Sequence, residues 1–262
     1  MGELLDKLER ASRGAATPLG FTSTVKREKT APMLLLGALA AGDAEAAKLA
    51  VDGSLDGVIV VGTGEAKKAD VDRSVAALDG VTVGVWLDEA QPTRPDGLDF
   101  EVFSSEATPA GALSGEERTT VMHVVPELDD SLLRTIEALP VDAFLVSLAD
   151  AGSLTVRQLM RLARVRGVTS RWILVHVASL PTKEELEQLR DAGAGAVVVD
   201  LAGQTAASLK ATHELLRELP HEPTKRKKGH GVVTLPAAAA PASGPSRPEP
   251  EPDEDDDDDY EP

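Results

Sequence analysis

Eight short runs rich in β-branched and other apolar residues recur along the first 220 residues, and most are followed by an amphipathic helical pattern. Runs such as Val58–Val61 and Val197–Val199 are apolar on both faces, which is typical of parallel strands covered by helices. Strands alternating with helices indicate βαβ units, and eight such units predict a (βα)8 barrel. The runs are Met33–Ala38, Gly57–Val61, Val81–Leu87, Phe100–Ser104, Thr120–Val125, Ala143–Leu148, Trp172–Val177 and Ala196–Leu201.

Helix-start and helix-stop residues separate most of these runs, with Ser153 expected to open the helix after the sixth run and Thr182 with Glu185 forming a capping box for the helix after the seventh run. An extra helix at Glu3–Ser12 is expected beneath the barrel. The connections after the third and fourth runs are rich in proline and glycine, which do not support a long helix. We therefore predict degraded third and fourth crossover helices, with an open doubly wound sheet as the alternative. The other helices are expected at Ala44–Val51, Asp70–Leu78, Ser131–Leu139, Leu154–Arg166, Leu186–Ala192 and Thr205–Leu219.

The composition changes abruptly after Pro220. A basic run at Lys225–Lys228 is followed by an Ala/Pro/Ser-rich stretch and then by ten acidic residues between Glu249 and Glu261. Such segments cannot bury a core, and like charges keep the chain extended. We therefore predict a barrel domain over residues 1–220, in which 1–30 form an N-terminal helix and lead-in, and a disordered charged tail over 221–262.

The composition also excludes several classes of protein. The absence of cysteine excludes disulfide scaffolds, thiolate zinc sites and cysteine nucleophiles. The longest apolar run, Ala31–Ala41, has eleven residues, whereas about 20 are needed to span a bilayer, and the first residues lack the features of a secretory signal. A formal net charge of −17 argues against binding of nucleic acid, which requires a basic face. We expect an acidic cytoplasmic protein with no membrane partner, and an oligomer is possible.

The last predicted βαβ unit resembles that of the aldolase-like, phosphate-binding TIM barrels. The segment from Pro181 to Leu186 and the segment from Leu189 to Val199 are similar to the helix and eighth strand of that superfamily. The resemblance implies a TIM barrel with a phosphate held by backbone N–H groups after strands seven and eight, here Gly203, Gln204 and Thr205. The chain departs from this pattern at Asp200, a negative charge where a phosphate would lie.

Polar residues cluster at the ends of the predicted strands. In such barrels the active site lies at the C-terminal ends of the strands, and alternate side chains of each strand point inward. We expect Glu101 and Asp150 to be weaker candidates, and Trp86 and Trp172 to belong to the core. Five polar residues share the inward-facing rows near those ends and are the candidate catalytic residues: Asp88, His123, Ser147, His176 and Asp200.

Imidazole and carboxylate groups suit two kinds of chemistry. They can act as general acid and base near neutral pH, or His123, His176 and Asp200 can hold a divalent metal such as zinc, iron or manganese. Two functions stay open. One is a TIM-barrel enzyme, a lyase, isomerase or hydrolase, acting on a small metabolite at the C-terminal mouth of the barrel. The other is a catalytically degenerate barrel, a scaffold or regulatory subunit that recruits a protein partner through its charged tail.

Overall fold

The structure is a computed structural model in which the chain divides into two compact units, Met1–Thr224 and Lys225–Pro262. All described residues belong to the first unit, so the charged tail predicted from residue 221 lies almost entirely outside them. The described residues are 2–14, 30–63, 66–78, 80–87, 97–104, 108, 110, 113, 118–125, 129–149 and 152–221.

Eight strands and seven helices are present within these residues. The strands are β1 (Leu34–Ala40), β2 (Gly57–Val61), β3 (Thr82–Leu87), β4 (Phe100–Ser104), β5 (Thr119–Val124), β6 (Ala143–Ser147), β7 (Trp172–Val177) and β8 (Ala196–Asp200). The helices are α1 (Glu3–Arg13), α2 (Ala44–Asp52), α3 (Lys68–Ala76), α4 (Asp130–Ile136), α5 (Val156–Arg166), α6 (Lys183–Asp191) and α7 (Ala206–Glu218).

The strands form one closed parallel barrel in sequence order. Closure is made by β1 and β8, which pair from Leu34 opposite Ala196 to Ala38 opposite Asp200. This pairing confirms the predicted (βα)8 barrel and excludes the open sheet. In the described parts of the connections after β3 and β4 there is no α-helix, as the proline and glycine content predicts.

The barrel interior is filled by alternate residues of the strands, as the two-residue side-chain period of a strand requires. Its buried cluster includes residues such as Phe100, Leu145 and Val198. The helix α1 closes the lower end, where its Leu4 and Leu8 are fully buried against this cluster. The predicted helix beneath the barrel is therefore confirmed.

A larger apolar cluster joins the outward-facing strand residues to the helices. The capping box predicted for α6 is present: the Thr182 hydroxyl accepts from the N–H of Glu185, and Glu185 accepts from Thr182 in return. At α5 the expectation is wrong, because the helix is capped by Thr155 rather than Ser153. Thr155 is the N-cap because Gln158 completes a capping box with it. Gln158 also donates to the Leu148 carbonyl at 2.6 Å. No helix among the described residues is long and apolar enough to cross a bilayer.

Three aspartates link neighbouring strands by hydrogen bonds at the lower end of the barrel. Asp56, Asp99 and Asp142 stand directly before β2, β4 and β6, and each carboxylate accepts a hydrogen bond of 2.8 Å from a backbone N–H of the preceding strand. Gly195 holds the equivalent place before β8, and a Cβ there would lie 3.0 Å from the ring of Trp172. The hydrogen bonds to Asp56, Asp99 and Asp142 therefore stabilise the strand pairs β1/β2, β3/β4 and β5/β6.

Candidate functional site at the barrel mouth

A cavity of about 310 Å³ opens at the C-terminal ends of the strands, which we call the mouth cavity. Its walls come from six strands and the turn after β2, and they are mainly apolar. His176 and Asp200 contribute the ionisable groups. The lining residues are Ala38, Ile59, Val61, Gly62, Trp86, Leu145, His176, Val198 and Asp200.

Three of the predicted catalytic residues form a hydrogen-bonded row beside this cavity. The Nε2 of His176 lies 3.1 Å from Oδ1 of Asp200, and its Nδ1 lies 3.4 Å from the Ser147 hydroxyl. The carboxylate can only accept, so Nε2 of a neutral imidazole carries the proton and Nδ1 is the acceptor. His176 is thus held in one tautomer, with its basic nitrogen toward Ser147.

Strand register explains why these residues meet. Ser147 is directly opposite His176 across the β6/β7 pair, and His176 is opposite Val198 across β7/β8. Asp200 lies two residues beyond Val198 and therefore on the same inward-facing row. The side chain of His176 is 20% exposed and that of Asp200 is 54% exposed, so solvent and small molecules reach the carboxylate more easily than the ring.

Trp86 is a functional candidate that the assignment to the core missed. It is half-buried and lines the mouth cavity, although its inner side packs on the interior cluster. The hydroxyl of the buried Thr63 donates to the Trp86 carbonyl, which fixes the end of β3. Alternation along β3 turns Trp86 inward near the C-terminal end of the strand, and this is the sequence signal that could have placed the ring at the mouth.

His123 lies next to Trp86 rather than in the wall of the cavity. The two rings have centroids 4.9 Å apart and are tilted by 53°. Its buried Nε2 has no hydrogen-bond partner among the described residues. Burial lowers the pKa of His123, and the nearby His176 lowers it further, because both favour the uncharged ring. His123 is therefore a neutral group at physiological pH.

Of the remaining candidates, only Glu101 lies within the described residues, and it is not part of this row. Asp88 and Asp150 lie outside the described residues. Glu101 is 4% exposed, and its carboxylate pairs with Arg118 at 2.7 Å. Its neighbours in β4, Phe100 and Val102, belong to the interior cluster, so alternation turns Glu101 outward, toward the helix layer.

The residues predicted to hold a phosphate lie beyond β8. Gly203 and Gln204 line a second surface cavity, and this cavity also contains Asp43, Glu45 and Asp52. Thr205 is the N-cap of α7 and accepts from the N–H of Ser208. The described lining of this cavity has three acidic side chains and one basic side chain, Lys48, and this net negative charge is unfavourable for an anion.

The predicted metal site does not fit the side chains present. The Nε2 of His176 already lies 3.1 Å from Oδ1 of Asp200, and the Nε2 of His123 is buried, with His123 outside the described cavity lining. No group of three or more His, Asp and Glu side chains in the described part of the chain is arranged to hold a metal ion.

No protein-family profile and no curated protein matches the chain, but solved structures do. The (S)-3-O-geranylgeranylglyceryl phosphate synthase of Thermoplasma acidophilum, solved with its substrate sn-glycerol-1-phosphate, has a TM-score of 0.60 and 13% identity, over 84% of this chain and 100% of that one. A tryptophan synthase α-subunit from Pyrococcus furiosus has a TM-score of 0.55 and 15% identity, over 70% and 97% of the two chains. Tryptophan synthase of Mycobacterium tuberculosis has a TM-score of 0.52 and 14% identity, over 71% and 91%. These likenesses establish the TIM-barrel fold that the resemblance of the last βαβ unit implies.

Proposed function

We propose that this protein is an enzyme that transfers protons on a small molecule bound in the mouth cavity. The observation that carries the proposal is the hydrogen-bonded row of Ser147, His176 and Asp200 at the wall of that cavity. Such a row beside a cavity of about 310 Å³ has the arrangement that general acid and base catalysis requires. The solved structures of the same fold are also enzymes.

The role of each residue follows from its contacts. Asp200 accepts the proton of Nε2 and stabilises the imidazolium that forms when Nδ1 takes a proton. The 3.4 Å contact from Ser147 to Nδ1 is longer than a strong O–H···N hydrogen bond. A substrate hydroxyl or water can therefore displace Ser147 at little cost. His176 acts as base in one step and returns the proton as acid in the next, which suits a lyase, isomerase or hydrolase.

The test is a comparison of metabolite mixtures incubated with the wild-type protein and with His176→Gln. Untargeted mass spectrometry should show at least one compound consumed by the wild type and untouched by the variant. His221→Gln is the matched control, because His221 is exposed and its ring lies beside Gly14, which follows the helix α1 at the lower end of the barrel, and it should behave as the wild type does. Identical mixtures after all incubations would overturn the proposal and favour the scaffold alternative.

A further inference from the structure

The mouth cavity has an uneven distribution of charge. Asp200 is an exposed carboxylate in its wall, and the described lining includes no lysine or arginine. The neighbouring His123 is neutral because burial lowers its pKa. Among the described lining residues, a ligand that enters the cavity therefore meets negative charge and no fixed positive charge.

Only one of the two carboxylate oxygens of Asp200 is hydrogen-bonded within the described part of the chain. Its Oδ1 lies 3.1 Å from Nε2 of His176, whereas Oδ2 makes no hydrogen bond or ion pair within the described part of the chain. A half-exposed carboxylate oxygen accepts strong, charge-assisted hydrogen bonds from a cationic donor. Because Asp200 lines the cavity and its side chain is 54% exposed, a ligand can reach this second oxygen.

The rest of the wall favours an apolar body. Ile59, Val61 and Leu145 lie along the cavity, and the ring of Trp86 adds a large flat surface on a different strand from Asp200. Apolar surface removed from water stabilises a complex roughly in proportion to its area. A ligand with one cationic end and one apolar end can therefore satisfy both parts of the cavity together.

The mouth cavity is unfavourable for a phosphate group. The mouth cavity bears the carboxylate of Asp200, and the described lining of the surface cavity beyond β8 holds Asp43, Glu45 and Asp52 against one basic side chain, Lys48. A phosphate and the carboxylate of Asp200 repel each other, and no arginine or lysine in the described mouth-cavity lining offsets this repulsion. The fold is shared with a synthase solved with a phosphate-bearing substrate, but the described lining of the mouth cavity in this protein has a carboxylate and neither lysine nor arginine.

We infer that the mouth cavity binds a small primary amine, with its ammonium group on Asp200 Oδ2 and its apolar body against Trp86. The inference rests on the proposed function in one respect, namely that the amine is the substrate of the His176 reaction. The binding itself depends only on Asp200, Trp86 and the apolar wall.

The test uses the full chain and four probes that share a phenyl body: 2-phenylethylamine, 2-phenylethanol, phenylacetate and phenyl phosphate. Isothermal titration calorimetry gives the affinities. Because the sequence has two tryptophans, the fluorescence of Trp86 is followed in Trp172→Phe, where it reports occupancy of the cavity. The amine should bind at least about tenfold more tightly than the alcohol, a difference of about 1.4 kcal/mol, and the two anions should bind more weakly than the alcohol.

Two variants decide whether Asp200 is responsible. Asp200→Asn should remove the preference, so that the amine and the alcohol bind equally. Asp52→Asn removes an exposed carboxylate of α2 outside the mouth cavity and should keep the preference. Tighter binding of either anion than of the amine, a preference that survives in Asp200→Asn, or no amine binding at millimolar concentration would each overturn the inference.

The two proposals fail in different ways. Conversion of a metabolite that requires His176, without any preference for amines, would leave the proposed function standing and refute the substrate class. A preference for amines that requires Asp200, without any conversion that requires His176, would leave a binding site and refute the enzyme.

Discussion

Removing the Asp142 carboxylate should destabilise the barrel more than any ordinary surface substitution. Its Oδ2 accepts from the backbone N–H of Thr120 at 2.8 Å and from the Thr120 hydroxyl at 3.1 Å. Thr120 is only 4% exposed, so water cannot replace this acceptor without opening the strand pair. Hydrogen bonds to charged groups contribute about 1.5–3 kcal/mol, and an unsatisfied buried donor costs about 1–3 kcal/mol.

We therefore expect Asp142→Ala to lower the unfolding free energy by about 3 kcal/mol, which corresponds to a fall in Tm of roughly 6–12 °C for a domain of this size. Urea unfolding followed by circular dichroism measures it, with an unchanged slope as evidence that the unfolded state is the same. Asp142→Asn keeps an acceptor and should lose less, and Asp72→Ala, at an exposed position of α3, should stay within about 0.5 kcal/mol of the wild type. A loss below about 1 kcal/mol in Asp142→Ala would refute the reasoning.

Three further substitutions test other contacts. His123→Leu removes a buried nitrogen that has no partner among the described residues. Because burial lowers the pKa of His123, the contribution of the neutral ring to stability is present above about pH 6.5 and is lost on acidification. The variant should therefore lose less stability than the wild type between pH 7 and pH 5. Gly84→Ala places a Cβ well inside the van der Waals distance of the Phe100 ring and should cost about 1–3 kcal/mol, part of which Phe100→Leu restores in the double variant. Thr182→Ala removes the cap of α6 and should cost about 1 kcal/mol of unfolding free energy. Burial alone would raise the pKa of Glu185, but hydrogen bonds from Thr182 and Leu154 lower it. An NMR titration of the variant should therefore show the pKa of Glu185 moving back toward its ordinary value.

The fold could be predicted because its signals are local. Each strand is a short, mainly apolar run, and most runs are separated from the next by capping residues, proline or glycine. Helix starts were harder, because Ser153 and Thr155 are both competent caps. The choice depends on Gln158, which bonds both to Thr155 and to the Leu148 carbonyl of a neighbouring segment, and the second contact exists only in the folded barrel.

The candidate site could be predicted only in part. Alternation along the strands placed His123, Ser147 and His176 on the inward-facing rows, where the structure also has them. Which of them touch depends on the stagger between strands, which the sequence does not encode locally. The structure thus joins His176 to Ser147 and Asp200 and leaves His123 beside Trp86.

The most direct test of the central claim measures turnover and folding stability on the same samples of the wild type and His176→Gln, with a metabolite that the wild type converts. The account predicts that kcat falls by about 10²–10⁴-fold, the usual contribution of a general acid or base. The unfolding free energy should stay within about 1–2 kcal/mol of the wild type. Wild-type turnover in His176→Gln, or a loss of turnover that only accompanies unfolding, would contradict the claim that His176 is the catalytic group of this barrel.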